Sequence, residues 1–216
     1  MDDNVGRLVE YLEQSGELEN TIILYTGDQG FFLGEHDFTD KRWMYEEAMR
    51  MPFIVSFPKT IAPGSSNDWL INNTDFAPTM LALAGAKVPA AMQGRSFAAA
   101  LKGEPKPQNW RTSTYYRYWM HLAHALQVPG HFGIRGERYK LIFFYGCRPD
   151  GSEQTPVAWE FYDLEKDPFE MHNLYGVAQY DSIIDAMKVE LRETRVKLKE
   201  TDAQYPHIQA IIDRHW

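Results

Sequence analysis

Between Gly27 and Glu47 the chain gathers side chains able to act on a tetrahedral oxyanion. Asp28 and Gln29, bracketed by Gly27 and Gly30, offer hard oxygen ligands of the kind that Ca²⁺ or Mg²⁺ takes and Zn²⁺ does not favour. An adjacent pair supplies only part of a coordination shell, and the same residues also suit an Asx-type turn in which the acid caps the next segment. Lys41 carries a compact ammonium with three donors, able to stabilise a sulfuryl or phosphoryl oxygen and the charge growing on a leaving oxygen. Its plain reading is a solvated lysine paired with Asp40 or Glu46. His36 either helps to hold a substrate or is satisfied by backbone groups. Tyr45, Glu46 and Glu47 read as residues that fix the loop.

Elements on both sides must position this loop. Ile22–Tyr25 is an uninterrupted apolar run, which predicts a strand buried on both faces in a parallel sheet. The turn at Asp28 then lies beyond the strand's carboxyl end, where open α/β sheets bind ligands. Upstream, Val5, Leu8, Val9 and Leu12 recur at helical spacing, with Asp2 or Asp3 as cap and Ser15-Gly16 as stop. Downstream, Met51–Pro58 reads as a second buried strand, Asp75 as the cap of a helix over TDFAPTMLALAG, and Ser96 as the start of a short helix ending near Gly103. Asn72-Asn73-Thr74 has glycosylation spacing, but no secretion signal accompanies it.

The composition shifts at GEPKPQN, a polar linker that divides the chain into residues 1–107 and 108–216. Beyond it, Thr112–Trp119, Phe132–Arg135, Arg138–Tyr145 and Trp159–Tyr162 are aromatic-rich and β-prone, with Gly136-Glu137 as a hairpin turn. Arg138 and Lys140 read as the solvated face of that hairpin. Ile183, Ile184, Met187, Leu191 and Leu198 form one apolar stripe, which predicts a single long helix packed across the sheet. The expected class is α/β: part of a mixed, mostly parallel sheet flanked by helices, then a small α+β subdomain with an antiparallel sheet. The half from about residue 108 onward is expected to be the better behaved in isolation, because the first half exposes strand edges.

Several stretches also resemble a known family. TGDQGFFLGEH, DKRWMYEE and RMPFIVSFP, followed in order by TDFAPTMLALAG, QGRSF, GIRGERYKLI and FYDLEKDPFEMHNL, are similar to the sulfatases of the alkaline-phosphatase-like superfamily. The likeness covers most of the chain. It implies that Asp28 and Gln29 bind a divalent cation, Ca²⁺ or else Mg²⁺, and that Lys41 contacts the sulfate. It also implies that His131, in the region that overhangs a sulfatase active site, presents a substrate-binding group. His121 and His124 lie in the same region, but their spacing does not settle a zinc site. The family's nucleophile is a Cys or Ser in a C/S-x-P-S/A-x-R motif, converted to formylglycine, and no such motif occurs here. Cys147-Arg148-Pro149-Asp150-Gly151 copies only its opening and follows the metal segment instead of preceding it. The resemblance thus implies the C-terminal portion of a sulfatase that hydrolyses sulfate esters, with a sulfated saccharide as substrate, and no turnover by these residues alone. Two alternatives stand beside it: a phosphodiesterase or phosphonate hydrolase of the same superfamily, and a non-catalytic glycan-binding module.

Composition excludes other classes. The 216 residues carry a formal net charge of -8 with 44% hydrophobic content, so the chain can bury a core but lacks the basic face of a nucleic-acid binder. No apolar run approaches the length of a membrane span. The single Cys147 forms no internal disulfide and says little about redox compartment. A periplasmic or secreted location would require a signal upstream of Met1.

Overall fold

The computed structural model describes residues 1–216. In chain order the elements are α1 (Asp2–Gln14), β1 (Ile23–Thr26), β2 (Phe32–Leu33), β3 (Thr39–Asp40), α2 (Glu46–Met49), β4 (Phe53–Ser56), α3 (Phe76–Leu83) and α4 (Ala98–Leu101). They continue with β5 (Ser113–Tyr118), β6 (His131–Gly136), β7 (Tyr139–Phe144), β8 (Ala158–Asp163), α5 (Asp181–Lys197) and α6 (Pro206–His215). Two units result: Met1–Asp28 with Met51–Arg111, and Gln29–Arg50 with Thr112–Trp216. The expected division at residues 107 and 108 had put Gln29–Arg50 with the first half; the structure groups it with the second. No helix is long and apolar enough to cross a membrane.

In the first unit, α1 ends in a Schellman turn. Gly16 takes φ +72°, its N–H donates to the Glu13 carbonyl at 3.1 Å and the Glu17 N–H donates to the Leu12 carbonyl at 2.9 Å. Asp2 and Asp3 do not cap the helix; they sit in its first turn, where negative charge meets the positive end of the helix dipole. Strands β1 and β4 pair antiparallel, Ile23 opposite Ser56 and Thr26 opposite Phe53, whereas β1 had been expected to lie in a parallel sheet. An apolar run reports a tendency to be buried; it carries no information on the direction of its neighbour. Nor is the ladder covered on both faces within this chain, since Ile54 is 64% exposed.

The core of that unit is Trp69, Phe97, Ala100 and Trp110, with Phe53, Ile71 and Phe76 packed on it. Asp75 is more than a helix cap. Fully buried, it accepts the N–H groups of Asn72 at 2.8 Å and Arg95 at 2.7 Å together with the Arg111 guanidinium at 2.8 Å. The Asn72 side chain returns the favour by accepting the Asp75 N–H, a capping box. Arg95 and Arg111 then lie over the Trp110 ring at 4.7 Å and 5.1 Å. This gives the QGRSF turn its physical role: Gly94 passes so close to the Thr74 carbonyl that any Cβ would collide with it.

The second unit is built on an antiparallel meander, β5-β6-β7-β8, in which the β6–β7 hairpin sets Arg135 opposite Lys140. Side chains alternate across a sheet, so each strand serves two faces. On one face Phe132, Ile134, Leu141, Phe143 and Phe161 pack against Ile184, Met187 and Leu191 of α5 and Ile208 and Ile212 of α6. The stripe on α5 is the predicted one, whereas α6, opened by Pro206 at its first position, was not anticipated. On the other face Ile142, Phe144 and Tyr162 pack against Phe32, Met44, Tyr45 and Ala48, all from Gln29–Arg50. Lys140 and Arg138 are not a solvated pair. Lys140 points to this second face and is fully buried, while Arg138 grips Asp163 through two bonds of 2.9 Å and 2.8 Å.

Candidate active site

The segment that covers the second sheet face is held at its start by close packing. The Gly30 N–H donates to the Ala48 carbonyl at 2.8 Å, and a Cβ on Gly30 would strike the carbonyl oxygens of Glu47 and Arg50. A small hairpin follows, Phe32 opposite Asp40 and Leu33 opposite Thr39. Inside it His36, Asp37 and Asp40 adopt positive φ values of 54°, 58° and 77°. Non-glycine residues in this region cost about 1–3 kcal/mol each and persist only where the surroundings over-determine them. Here the Glu35 carboxylate accepts the Leu33 N–H at 2.6 Å, and the Phe38 N–H donates to the Glu35 carbonyl at 2.9 Å.

Of the residues singled out above, Asp28 is exposed, with its carbonyl accepting the Asn73 side-chain amide at 3.5 Å. Gln29 bonds the Tyr116 hydroxyl, and that hydroxyl donates to the Arg42 carbonyl at 2.9 Å. One tyrosine on β5 therefore ties Gln29 to the Lys41–Arg42 segment. Lys41 is half-buried, and its N–H donates to the Asp40 carboxylate at 2.8 Å; the same carboxylate takes the Arg42 guanidinium. His36 stacks on Tyr45, centroids 4.7 Å apart and planes within 14°, and its Nε2 stands 3.6 Å from a Glu47 oxygen. His131 opens β6 fully buried: Nδ1 meets the Pro129 carbonyl at 2.8 Å, and Nε2 has no partner. Burial drives its pKa down to about 4, so the ring is neutral at pH 7.

The two histidines end one column of rings. From His36 it runs through Tyr45 and on to Trp43 at 6.0 Å and from Trp43 to His131 at 6.1 Å. Tyr116 and Tyr118, each 5.7 Å from His131, flank its far end. Sequence reasoning missed these two tyrosines. Period-2 alternation along STYYRY would have found them, since residues two apart on β5 share a face, and Tyr116 and Tyr118 share that of the Lys41 loop.

Below the column lies a buried charge cluster. Lys140 Nζ stands 2.9 Å from Glu46 and 2.6 Å from Glu170, Arg135 reaches Glu46 at 3.0 Å, and Glu170 accepts the Glu46 N–H at 2.6 Å. Burial raises the Glu46 carboxyl, but Lys140 and Arg135 outweigh it and hold the group down to about 2. For Glu170 burial wins over Lys140, and its pKa rises to about 7. Two carboxylates thus share one buried ammonium.

Other expectations resolve simply. His121 is structural, with one ring nitrogen on the Gly130 N–H at 2.8 Å and the other on the Glu153 carbonyl. Cys147 is buried, and burial raises its thiol, which suits a packed residue and not a nucleophile. No group of three or more His, Cys, Asp or Glu side chains is arranged to hold a metal ion. Asp28 and Gln29 fit a hard cation in donor type; they fall short of the six to eight oxygens that Ca²⁺ takes.

Comparison with known proteins decides the family. A family model described as N-sulphoglucosamine sulphohydrolase, C-terminal, matches residues 34–197. The N-acetylglucosamine-6-O-sulfatase of Bacteroides thetaiotaomicron is 47% identical over 203 residues, covering 94% of this chain and 35% of that protein. The chain belongs to the sulfatase family. It spans about a third of the length of the sulfatases it matches. Its fold is that of a protein solved in complex with its substrate D-glucosamine-2-N,6-O-disulfate, at TM-score 0.85 and 46% identity over 93% of this chain and 39% of that one. The phosphonate monoester hydrolase of Agrobacterium radiobacter shares the fold at TM-score 0.75 but only 22% identity, over 91% of this chain and 39% of that one.

Proposed function

We propose that these residues form the leaving-group side of a sulfatase that hydrolyses the sulfate ester of a sulfated amino sugar with the aid of a divalent cation. What supports the substrate class is the 47% identity, over 94% of the chain, to an N-acetylglucosamine-6-O-sulfatase. Asp28 and Gln29 would hold the cation, Ca²⁺ or Mg²⁺, with further ligands from outside these residues; when bound, it withdraws charge from the sulfate oxygens. Lys41 donates to a sulfate oxygen or to the departing alcohol oxygen, where negative charge grows. The Asp40 carboxylate fixes the backbone on which Lys41 rides. The formylglycine nucleophile likewise lies outside these residues, so the 216-residue chain alone turns nothing over. Trp43 and Tyr116, both half-buried, provide flat apolar surface of the kind that sugar rings pack on.

The test is sulfate release from glucosamine 6-sulfate by the sulfatase that contains these residues, compared with a phosphate diester and a phosphonate monoester of the same alcohol. Sulfate ester cleavage dominates on this account. Preference for the phosphonate would favour the other superfamily chemistry, and tight saccharide binding without turnover would make the protein a glycan-binding module.

A further inference from the structure

Three stretches of the sequence, MYEEA, GIRGERYKLI and DPFEMHNL, have no assigned part in the chemistry above, yet the fold brings Glu46 from the first, Arg135 and Lys140 from the second and Glu170 from the third to a single point. We propose that Glu170 and Lys140 are positioning residues: together they clamp the start of α2 to the sheet and so set where the Lys41 loop stands. This rests on the reading of Lys41 as the sulfate contact.

The geometry carries the assignment. Glu170 uses both oxygens, one for the Glu46 N–H at 2.6 Å and the other for Lys140 Nζ at 2.6 Å. Lys140 bridges onward to the Glu46 carboxylate at 2.9 Å, which Arg135 closes from the neighbouring strand at 3.0 Å. Lys140 and Glu170 have side chains 0% exposed, and Glu46 only 10%. Charges enter such a site only at a large desolvation penalty, and apolar residues of similar volume would hold the unit together at least as well. What an apolar cluster cannot do is fix direction. The Glu46 N–H is the first helical donor of α2, five residues after Lys41, and its angle to Glu170 sets the heading of the chain between them. At the other end Asp40 has positive φ, and its carboxylate accepts the Lys41 N–H. The lysine is thus held between a strained hairpin corner and a buried clamp.

The same site explains why Glu170 follows a loop instead of a regular strand. It has φ +52°, a conformation that aims its side chain back at β7. Tyr162, on β8, is the other titratable group that acts on Glu170, and its hydroxyl is committed to Glu160 at 3.0 Å. Glu46, Lys140 and Arg135 complete the ring of charges around it.

The experiment is amide hydrogen exchange at pH 8, where Glu170 is ionised, on the 216-residue chain with Glu170→Gln, which keeps size but removes the charge. Expected is a rise of about tenfold or more in exchange at residues 41–49, with β6 and β7 unchanged, because local opening is read separately from global unfolding. Unchanged exchange at 41–49, or an equal rise in β6 and β7, would overturn the clamp. Should this variant fail to fold, Lys140→Met with Glu170→Leu, which leaves Glu46 paired with Arg135, reads the same amides. A second arm measures kcat and KM of Glu170→Gln in the sulfatase that contains these residues. A fall in kcat of about tenfold with KM nearly constant is the signature of a displaced transition-state contact. Loosened amides with unaltered kcat would overturn the positioning role. The reading of Lys41 fails separately, if Lys41→Ala leaves kcat intact while the exchange result stands.

Discussion

The two faces of the β5–β8 sheet solve the same problem with different chemistry. The helix face is closed by aliphatic and aromatic side chains from α5 and α6, and its buried charges, Arg117 and Arg195 around Asp202, sit at the edge strand β5 and the turn that follows α5. The loop face is closed by a segment with little regular structure, and there the charges sit in the middle: Lys140, Glu170 and Glu46 beneath a stack of rings. Apolar packing is non-directional and forgiving of small shifts, whereas a buried charged hydrogen bond tolerates only one geometry. A scaffold needs the first property. A loop proposed to place Lys41 against a sulfate needs the second.

The largest effect expected from this contrast is on folding. A chain cut to residues 112–216 keeps its helix face but loses everything that covers Ile142, Phe144 and Tyr162, and it leaves Lys140 without Glu46. Contrary to the expectation drawn from strand edges, it should not unfold cooperatively and should bind hydrophobic dyes; a sharp thermal transition would break the contrast.

Next come single substitutions that distinguish the faces. Phe161→Ala on the helix face should destabilise by about 3–5 kcal/mol through the cavity it leaves. Lys140→Ala on the loop face should lose about as much, by stranding the buried Glu170 carboxylate. Only the second loss should be recovered by a compensating apolar substitution at Glu170. Denaturant midpoints of the single and double variants measure this, and equal recovery at both faces would remove the distinction.

A smaller effect concerns pH. The Glu46 pKa falls from 4.5 to about 2 on folding, so its stabilisation is complete above pH 4.5 and is lost as pH drops toward 2. Glu170 runs the other way. Its pKa rises from 4.5 to about 7, so its contribution is present below pH 4.5 and is lost as pH rises through 7. Relative to Glu170→Gln, the native chain should therefore be more favoured at pH 5 than at pH 8. Melting temperatures of both proteins at the two pH values check the sign.

Much of this was legible in the sequence because it is local. The helical stripes of α1 and α5, the four β-prone segments and the β6–β7 turn each follow from a period or a turn residue within a short window. What was not legible depends on partners far along the chain. Lys140 looks solvated until Glu46 arrives from 94 positions away, and Asp75 looks like a cap until Arg111 arrives. The direction of the β1–β4 pair has no local signature. At the candidate site, motif order singled out Asp28, Gln29 and Lys41, and the structure links Gln29 to the Lys41–Arg42 segment through Tyr116. Motif order could not reveal that His36, half-buried, and His131, fully buried, are the two ends of one aromatic column.

The central claim is that Lys41 and Asp28 do different work, the first on the sulfate and the second on the cation. The direct measurement is kcat and KM for Lys41→Ala and Asp28→Asn across a calcium titration, in the sulfatase that contains these residues. Lys41→Ala should lower kcat by ~10² or more at every calcium concentration, the scale of losing one preorganised electrostatic group. Lys41→Arg should restore little, because a planar fork replaces a compact ammonium poorly. Asp28→Asn should weaken cation affinity and regain part of its activity at high calcium. A Lys41→Ala enzyme with near-native kcat, or one rescued by calcium as Asp28→Asn is, would contradict the account.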